Sequence, residues 1–110
     1  MVKSLLALAD VLSATGGTVL LDGGDFSFSS VATDSRKVVP GSLFVPLVGE
    51  KQDGHSYIPQ AIEKGASVVF VARRNYSEHR DFFAPIFDKN PSVTFIGVDN
   101  TLHALQSAAA

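Results

Sequence analysis

The spacing of apolar residues divides this chain into two halves with different predicted elements. Apolar residues recur at helical spacing over residues 3–14 and predict a helix that Gly16 and Gly17 end. A short apolar strand is predicted from Thr18 to Leu21, and alternating phenylalanine and serine residues predict a half-buried strand that runs through to Thr33. The first half therefore has the pattern of antiparallel β structure.

The second half alternates predicted strands with predicted helices. Strands are predicted over Leu43–Val48, Ser67–Ala72 and Val93–Val98. The run SVVFVA at 67–72 is continuously apolar, which is typical of a strand that is covered on both faces. Helices are predicted over 57–64, over 78–88 with Ser77 as a cap, and from Asn100 or Thr101 onward with Leu102, Leu105 and Ala109 on one face. This alternation predicts an α/β fold, a single small domain with a mixed sheet and flanking helices.

Proline and glycine residues set the ends of several of these elements. Pro40 and Gly41 indicate a tight turn before the strand at 43–48. Pro46 cannot donate a hydrogen bond to a neighbouring strand, so that strand lies at an edge, bulges or ends there. Pro59 falls in the first turn of a predicted helix, where it is tolerated, and Gly65 ends the same helix.

Composition bounds the class of protein. The chain has 110 residues, 45% of them apolar, and a formal charge of −2, which indicates one domain with a modest core. No basic stripe suggests nucleic-acid binding, and no cysteine is present for a disulfide or a thiolate zinc site. No apolar run is long enough to span a membrane, so we expect a cytoplasmic domain that binds neither membrane nor, without a basic stripe, nucleic acid. We also expect a monomer. The chain stops inside a helical pattern, LHALQSAAA, which predicts a fragment of a longer protein.

Familiar catalytic motifs are absent from the sequence. It contains no G-x-x-x-x-G-K-[ST] phosphate loop, no G-x-G-x-x-G and no G-x-S-x-G elbow. The histidines His55, His79 and His103 are scattered along the chain. The sequence therefore predicts no catalytic residue and no metal site in these residues.

One polar loop follows the predicted strand that ends at Thr33. Thr33, Asp34, Ser35 and Arg36 offer hydroxyls, a carboxylate and a guanidinium where α/β folds tend to place ligands. The alternative is structural: Asp34 and Ser35 make a turn, and Arg36 is a surface charge.

A second polar loop spans Glu50 to His55. Its flanking glycines let backbone amides approach a ligand closely, and Lys51 could neutralise a phosphate. Asp53 and His55 could form an acid–base pair. Alternatively, Asp53 organises the turn at Gly54, and His55 packs near the start of the next helix.

The run TDSRKVVPGSLFVPLVGEKQDGHSYIPQAIEKGASVVFV resembles the N-terminal domain of the Mur ligases, in the branch of MurE and MurF. The family pattern is D-S-R, then P-G-D-L-F-V-A-L, then G-x-x-x-D-G-H/R, an aromatic-Ile pair, A-x-x-x-G-A and an apolar strand. Ser42 stands where the family often has Asp, and Pro46 where it often has Ala, but neither position lies in a ligand loop. The resemblance covers residues 31–72 well and the two ends more loosely.

This resemblance implies a function for the whole domain. Residues 1–110 would form the UDP-substrate-binding domain of an ATP-dependent, amide-forming ligase of peptidoglycan synthesis, and hence of cell-wall growth, cell shape and division. The partner would be UDP-N-acetylmuramoyl-peptide. ATP and Mg²⁺ would be held by a central domain, and a C-terminal domain would help to bind the incoming amino acid or dipeptide. These residues lack both domains, so the fragment alone would be inactive. The motifs resemble MurF, which adds D-alanyl-D-alanine, slightly more than MurE, which adds the third amino acid.

Site residues follow from the same resemblance, position by position. The implied contacts to the UDP moiety are Thr33, Ser35, Glu50, Lys51 and Gln52. Arg36 and His55 also match family positions, but we expect Arg36 in an ion pair and His55 in shaping the loop. The alternative from another class is a non-catalytic α/β interaction module whose loops bind a protein partner or nothing.

Overall fold

A computed structural model describes residues 16–21, 23, 28, 30–48 and 53–104 of the chain. Within these ranges, five strands form one sheet in the order β1-β5-β4-β3-β2. The strands are β1 (Thr18–Leu21), β2 (Ser30–Ala32), β3 (Ser42–Phe44), β4 (Val68–Ala72) and β5 (Thr94–Val98). The helices are α1 (Ile58–Glu63), α2 (Arg73–Glu78) and α3 (Arg80–Lys89), with 3-10 turns at Ser35–Lys37 and Gly54–Tyr57. A mixed sheet with flanking helices confirms the predicted α/β fold, whereas the helix predicted over 3–14 lies outside the described residues.

Strand directions differ from the sequence expectation in one place. Strands β2, β3, β4 and β5 run parallel, and β1 pairs antiparallel with β5. The expectation of antiparallel structure in the first half is therefore wrong for β2, which runs parallel to β3. The reason is the link of residues 33–41, which wraps through a 3-10 turn and crosses over instead of folding back as a hairpin.

The sheet is buried on both faces around β4. Val69 and Val71 point into one apolar cluster, with Ile58 of α1 and Phe83 of α3. Their neighbours along the strand, Val68 and Phe70, belong to a second cluster on the other face, which also contains Phe28, Leu43, Ile96 and Ala104. The continuous apolar run of β4 is explained by this burial on both faces.

Strand β3 is shorter than the predicted strand over Leu43–Val48. It pairs with β4 only at Leu43 and Phe44, and the chain then leaves the edge of β4 ahead of Pro46. Proline has no backbone N–H for the ladder, so the strand ends there. The early end frees the following residues to form a loop beside the end of β4.

The helix predicted over 78–88 corresponds to α3, and a separate helix, α2, precedes it and ends at Glu78. The predicted cap, Ser77, therefore lies inside α2, and His79 lies between the two helices. Sequence reasoning missed α2 because Ala72, the residue before it, has no side chain that can cap a helix. Pro85 lies inside α3, which still runs to Lys89 with Phe83 and Ile86 buried.

The last described helical residues are 101–104, which Asn100 caps by accepting a hydrogen bond from the backbone N–H of His103 at 2.9 Å. Leu102 is 48% exposed, whereas Thr101 and Ala104 are buried. The helix is oriented by Thr101, whose hydroxyl donates to the carbonyl of Pro46 at 2.5 Å. Residues 105 and 109 lie outside the described residues.

Candidate functional site

A cleft of about 1320 Å³ lies at the edge of the sheet where the four parallel strands end. The segments that follow these strands line it. The lining includes Thr33, Asp34, Ser35 and Arg36 after β2, Leu47, Val48, Asp53 and Gly54 after β3, Arg74 and Asn75 after β4, and Asp99, Asn100 and Thr101 after β5. In open α/β sheets, ligands bind at the carboxyl ends of the strands, so this cleft is the candidate site.

The first loop is organised by the carboxylate of Asp34. This residue caps the 3-10 turn by accepting the backbone N–H of Arg36 at 2.9 Å, and it also receives the guanidinium through Nε at 3.1 Å and Nη2 at 2.9 Å. The side-chain hydrogen bond from Arg36 lowers the pKa of Asp34 to about 2. The side chain of Arg36 is 84% exposed, so the pair lies in solvent at the rim of the cleft.

Thr33 and Ser35, two of the predicted nucleotide contacts, both line the cleft. Thr33 is exposed and Ser35 is buried at 7% exposure. Within the described part of the chain, the hydroxyl of Ser35 has no hydrogen-bond partner. A donor and acceptor of this kind at the wall of a cleft is available to a ligand.

The other three predicted contacts, Glu50, Lys51 and Gln52, lie outside the described residues. The residues on either side of this segment are described. Val48 and Asp53 form an isolated antiparallel bridge, and both line the cleft. The two described residues that flank this segment therefore lie together at one wall of the candidate site.

The second loop repeats the arrangement of the first, with a histidine in place of arginine. The carboxylate Oδ1 of Asp53 caps the 3-10 turn by accepting the backbone N–H of His55 at 2.9 Å. The same oxygen lies 2.7 Å from Nδ1 of the His55 ring. On the other side of the ring, Nε2 accepts the backbone N–H of Ala72 at 3.0 Å. Because Nε2 is an acceptor, the ring proton lies on Nδ1 and is donated to Asp53.

The charge states of this pair follow from its burial. The His55 ring is 2% exposed, and burial lowers its pKa, which keeps it neutral near pH 7. Burial on its own raises the pKa of Asp53, but the hydrogen bonds from the backbone and ring of His55 outweigh it and hold this pKa below its ordinary value. Both nitrogens of the ring are occupied, so the geometry favours the structural reading of Asp53 and His55 over an acid–base pair facing a ligand.

Asn75 completes this cluster and was missed by sequence reasoning. Its Nδ2 donates to the second carboxylate oxygen of Asp53, Oδ2, at 2.6 Å. The two residues are 22 positions apart, and only the return of the chain through β4 into α2 brings them together. No local motif in the sequence marks that contact.

Other charged groups at the cleft are also paired. Arg73 donates to Asp99 at 2.5 Å and to the carbonyl of Gly16, which ties the end of β4 to the end of β5 and the start of β1. Arg74 lies 3.4 Å from Glu78 in an exposed pair. The described residues contain no group of three or more His, Asp or Glu side chains that could hold a metal ion. Among the same residues, no helix has the length and apolar character needed to cross a membrane.

Comparison with known proteins identifies similar sequences over most of the chain. A model described as "Mur ligase family, catalytic domain" matches residues 27–110. The UDP-N-acetylmuramoyl-tripeptide--D-alanyl-D-alanine ligase of Treponema pallidum (strain Nichols) is 36% identical over 107 residues, which are 96% of this chain and 23% of that protein. The UDP-N-acetylmuramoyl-L-alanyl-D-glutamate--2,6-diaminopimelate ligase of Parabacteroides distasonis is 36% identical over 84 residues, 76% of this chain and 17% of that protein.

A solved structure has the same fold. It is a crystal structure of MurF from Acinetobacter baumannii, which superposes with a TM-score of 0.65 at 25% identity and covers 89% of this chain and 19% of that one. The chain thus spans between 17% and 23% of the length of these relatives.

Proposed function

Because the chain belongs to the Mur ligase family, we propose that residues 1–110 form the N-terminal substrate-binding domain of an ATP-dependent ligase of peptidoglycan synthesis. In this proposal the cleft holds the UDP end of a UDP-N-acetylmuramoyl-peptide. The enzyme is of the MurF type, which adds D-alanyl-D-alanine. It acts as a monomer in the cytoplasm, and further domains carry ATP, Mg²⁺ and the amide-forming reaction.

One observation carries this proposal. The first loop meets Val48 and Asp53, the described residues on either side of 49–52, at one cleft at the carboxyl ends of the parallel strands. An entire strand separates these two regions in the sequence. The proposed contacts to the UDP moiety are Thr33, Ser35, Glu50, Lys51 and Gln52.

The chemistry of these groups suits a uridine diphosphate. Uracil requires a few directed hydrogen bonds, which backbone groups near Gly49 can supply. The diphosphate accepts hydrogen bonds from a hydroxyl such as that of Ser35 and from the ammonium of Lys51. Binding this remote part of the substrate holds the reacting peptide carboxylate in place, so the domain contributes to the reaction through positioning.

The described residues do not suit Mg²⁺ or the triphosphate of ATP. The described carboxylates that line the cleft already have partners: Asp34 has Arg36, Asp53 has His55 and Asn75, Asp99 has Arg73, and Glu78 has Arg74. The sequence also lacks a G-x-x-x-x-G-K-[ST] loop. We therefore assign no step of the reaction to this chain, and we propose that it is inactive alone. Magnesium-dependent ATP hydrolysis by a pure preparation of the 110 residues would contradict this.

The similarity to both kinds of ligase makes the MurE type the second candidate. The two relatives have the same 36% identity, but the D-alanyl-D-alanine ligase aligns over 107 residues and the diaminopimelate ligase over 84. The greater coverage supports MurF. The full-length enzyme should release phosphate with UDP-N-acetylmuramoyl-tripeptide and D-alanyl-D-alanine. Turnover only with UDP-N-acetylmuramoyl-L-alanyl-D-glutamate and an amino acid would assign it to MurE instead.

An NMR titration with UDP and with UDP-N-acetylmuramoyl-tripeptide tests the site itself. We expect chemical-shift changes concentrated at residues 33–36 and 49–55. If the 110-residue chain shows none at millimolar ligand, the titration is repeated with the full-length enzyme, because a second domain can close the site. Absence of binding there would overturn the proposed function.

A further inference from the structure

The carboxylate of Asp53 joins the second loop to a distant part of the fold. One oxygen accepts two hydrogen bonds from His55, through its backbone N–H at 2.9 Å and its ring Nδ1 at 2.7 Å. The other oxygen accepts the amide of Asn75 at 2.6 Å. Both oxygens are therefore used, and the side chain of Asp53 has a single orientation that satisfies all three donors.

Both of its partners are anchored at the junction of β4 and α2. Asn75 belongs to the first turn of α2, and the His55 ring accepts the backbone N–H of Ala72, the last residue of β4. Strand β3 pairs with β4 only as far as Val69, so no carbonyl of β3 accepts the backbone N–H of Ala72. The His55 ring accepts that N–H instead. His55 of the second loop thus bonds to the end of β4 where a neighbouring strand would otherwise do so.

The opposite side of the loop is held by Gly54. Its N–H donates to the carbonyl of Leu47 at 2.8 Å, and a Cβ at this position would lie 2.8 Å from the nitrogen of Leu47. Asp53 and Gly54, which both line the cleft, are therefore fixed between Leu47 on one side and the β4–α2 junction on the other.

We propose that Asn75 is a positioning residue for substrate binding, acting through Asp53 to fix the cleft wall formed by Val48, Asp53 and Gly54. This inference rests on the proposed function, since the ligand is the uridine diphosphate end of the substrate. Asn75 acts by placing the wall that receives the ligand, and its side chain is committed to Asp53. Loss of this contact weakens binding of the UDP-substrate and leaves the chemical step unchanged.

The contact between Asn75 and Asp53 pairs an amide donor with a carboxylate acceptor. Exchanging the two side chains tests whether this pairing is what matters. Asn75→Asp places two carboxylates at the 2.6 Å contact, where they repel each other. The double variant Asp53→Asn with Asn75→Asp again has one amide and one carboxylate. The amide oxygen at position 53 accepts from His55, and its NH₂ group donates to the carboxylate at position 75. The charge is conserved, and each hydrogen bond has a counterpart.

The experiment is steady-state kinetics of the full-length enzyme with UDP-N-acetylmuramoyl-tripeptide, ATP and D-alanyl-D-alanine. Asn75→Asp should raise KM for the UDP-substrate about tenfold, with kcat and KM for ATP close to wild type. The double variant should recover most of this loss. Asn75→Ala, which removes the donor without adding a charge, should raise the same KM by about threefold and serves if Asn75→Asp fails to fold.

Asn90→Asp is the matched control. The amide of Asn90 donates to the carbonyl of Ile86 at 2.8 Å at the end of α3, and Asn90 does not line the cleft. The same chemical change there should lower thermal stability and leave KM for the UDP-substrate unchanged. A purely structural role for Asn75 would give that pattern too, and it would overturn the inference.

The outcomes separate the inference from the function on which it rests. Turnover by the wild-type enzyme, with a KM for the UDP-substrate that neither Asn75 variant changes, would overturn the inference and leave the function standing. A folded double variant that recovers nothing would also count against it. Failure of the wild-type enzyme to use any UDP-N-acetylmuramoyl-peptide would overturn the function itself.

Discussion

The two loops of the cleft use the same local device in different surroundings. In each, an aspartate caps a 3-10 turn and binds both the backbone N–H and the side chain of the residue two positions later, Arg36 in the first loop and His55 in the second. The two aspartates have nearly the same backbone angles, with φ of −117° and −115°. Sequence and local geometry therefore predict equivalent loops.

Burial makes the two loops different. The Arg36 side chain is 84% exposed, whereas that of His55 is 2% exposed and has further partners in β4 and, through Asp53, in α2. An exposed ion pair adds little to stability, because water solvates both charges when the pair is broken. A buried polar group costs far more when it loses its partners. The Asp34–Arg36 pair is thus free to change its contacts, whereas His55 belongs to the core.

Replacing the buried histidine should have the largest effect. His55→Ala leaves a cavity, removes the acceptor of the Ala72 N–H and removes the ring donor to Asp53, so we expect a loss of about 3–4 kcal/mol in the free energy of unfolding. Urea denaturation of the 110-residue chain measures it. The control is His103→Ala, at an exposed position. Equal stability of the two variants would show that His55 contributes no more to stability than an exposed histidine does.

The middle residues of the loops, Gly54 and Ser35, give the next contrast. Gly54→Ala should cost about 2 kcal/mol, because the new Cβ would lie 2.8 Å from the backbone nitrogen of Leu47. Ser35→Gly in the first loop should cost only about 0.5–1 kcal/mol, through added freedom of the unfolded chain. Thermal unfolding compares the pair. A larger loss of stability in Ser35→Gly than in Gly54→Ala would mean that the first loop, and not the second, is the more constrained.

Ligand binding should depend on the first loop through Ser35. Ser35→Ala should weaken binding of the UDP-substrate to the full-length enzyme by about 1–2 kcal/mol, the cost of losing a hydrogen bond to a charged group. Isothermal titration calorimetry measures this, with Ser77→Ala, at an exposed position in α2, as control. Unchanged affinity would remove Ser35 from the proposed contacts.

Acid should destabilise the two loops in different pH ranges. The pKa of His55 in the fold is below its ordinary 6.5, so stability is complete above that value and falls at lower pH, where the unfolded chain takes up a proton first. Burial is the main cause of this lowered pKa, and the hydrogen bond and charge of Asp53 oppose it. Asp34 has a pKa of about 2 against 3.8, so its contribution is lost only between those values.

Thermal unfolding between pH 7 and pH 5 isolates the second loop. Wild type should lose stability over this range more steeply than His55→Gln, which has no imidazole to protonate. Parallel curves for the two proteins would mean that another group causes the loss.

The smallest effect is expected for the exposed ion pair. Arg36→Ala should leave the melting temperature within experimental error of wild type, because both partners return to water. Differential scanning calorimetry at low and high salt checks this. A clear, salt-dependent loss would show that the first loop is held more firmly than its exposure indicates.

Much of the fold could be predicted from local sequence. The run at 67–72 is apolar on both faces of a strand, and only a central position in a sheet provides burial for both. Gly65, which follows α1, has a positive φ of 108°, and a Cβ there would lie 2.6 Å from Cα of Pro40. Both the backbone conformation and the close approach of Pro40 therefore require glycine at the predicted end of this helix. These elements were predictable because the cause of each lies within a few residues.

The features that were missed depend on contacts between distant residues. The parallel direction of β2 depends on how residues 33–41 cross over, and the contact of Asn75 with Asp53 depends on the path of the chain through β4. Both loops carry an aspartate two residues before a polar side chain, and nothing local in the pattern distinguishes the exposed loop from the buried one. The resemblance to a family supplied the site residues, which spacing alone leaves open.

The order of strands in the sheet has a consequence for how the chain folds. Thr18 of β1 pairs with Gly97 of β5, so the first described strand has its partner close to the end of these residues. During synthesis β1 leaves the ribosome early and remains unpaired until β5 has emerged, whereas β2, β3 and β4 can assemble in sequence. We therefore expect the edge formed by β1 to be completed last, and pulse-labelled exchange of its amide hydrogens during refolding would test this.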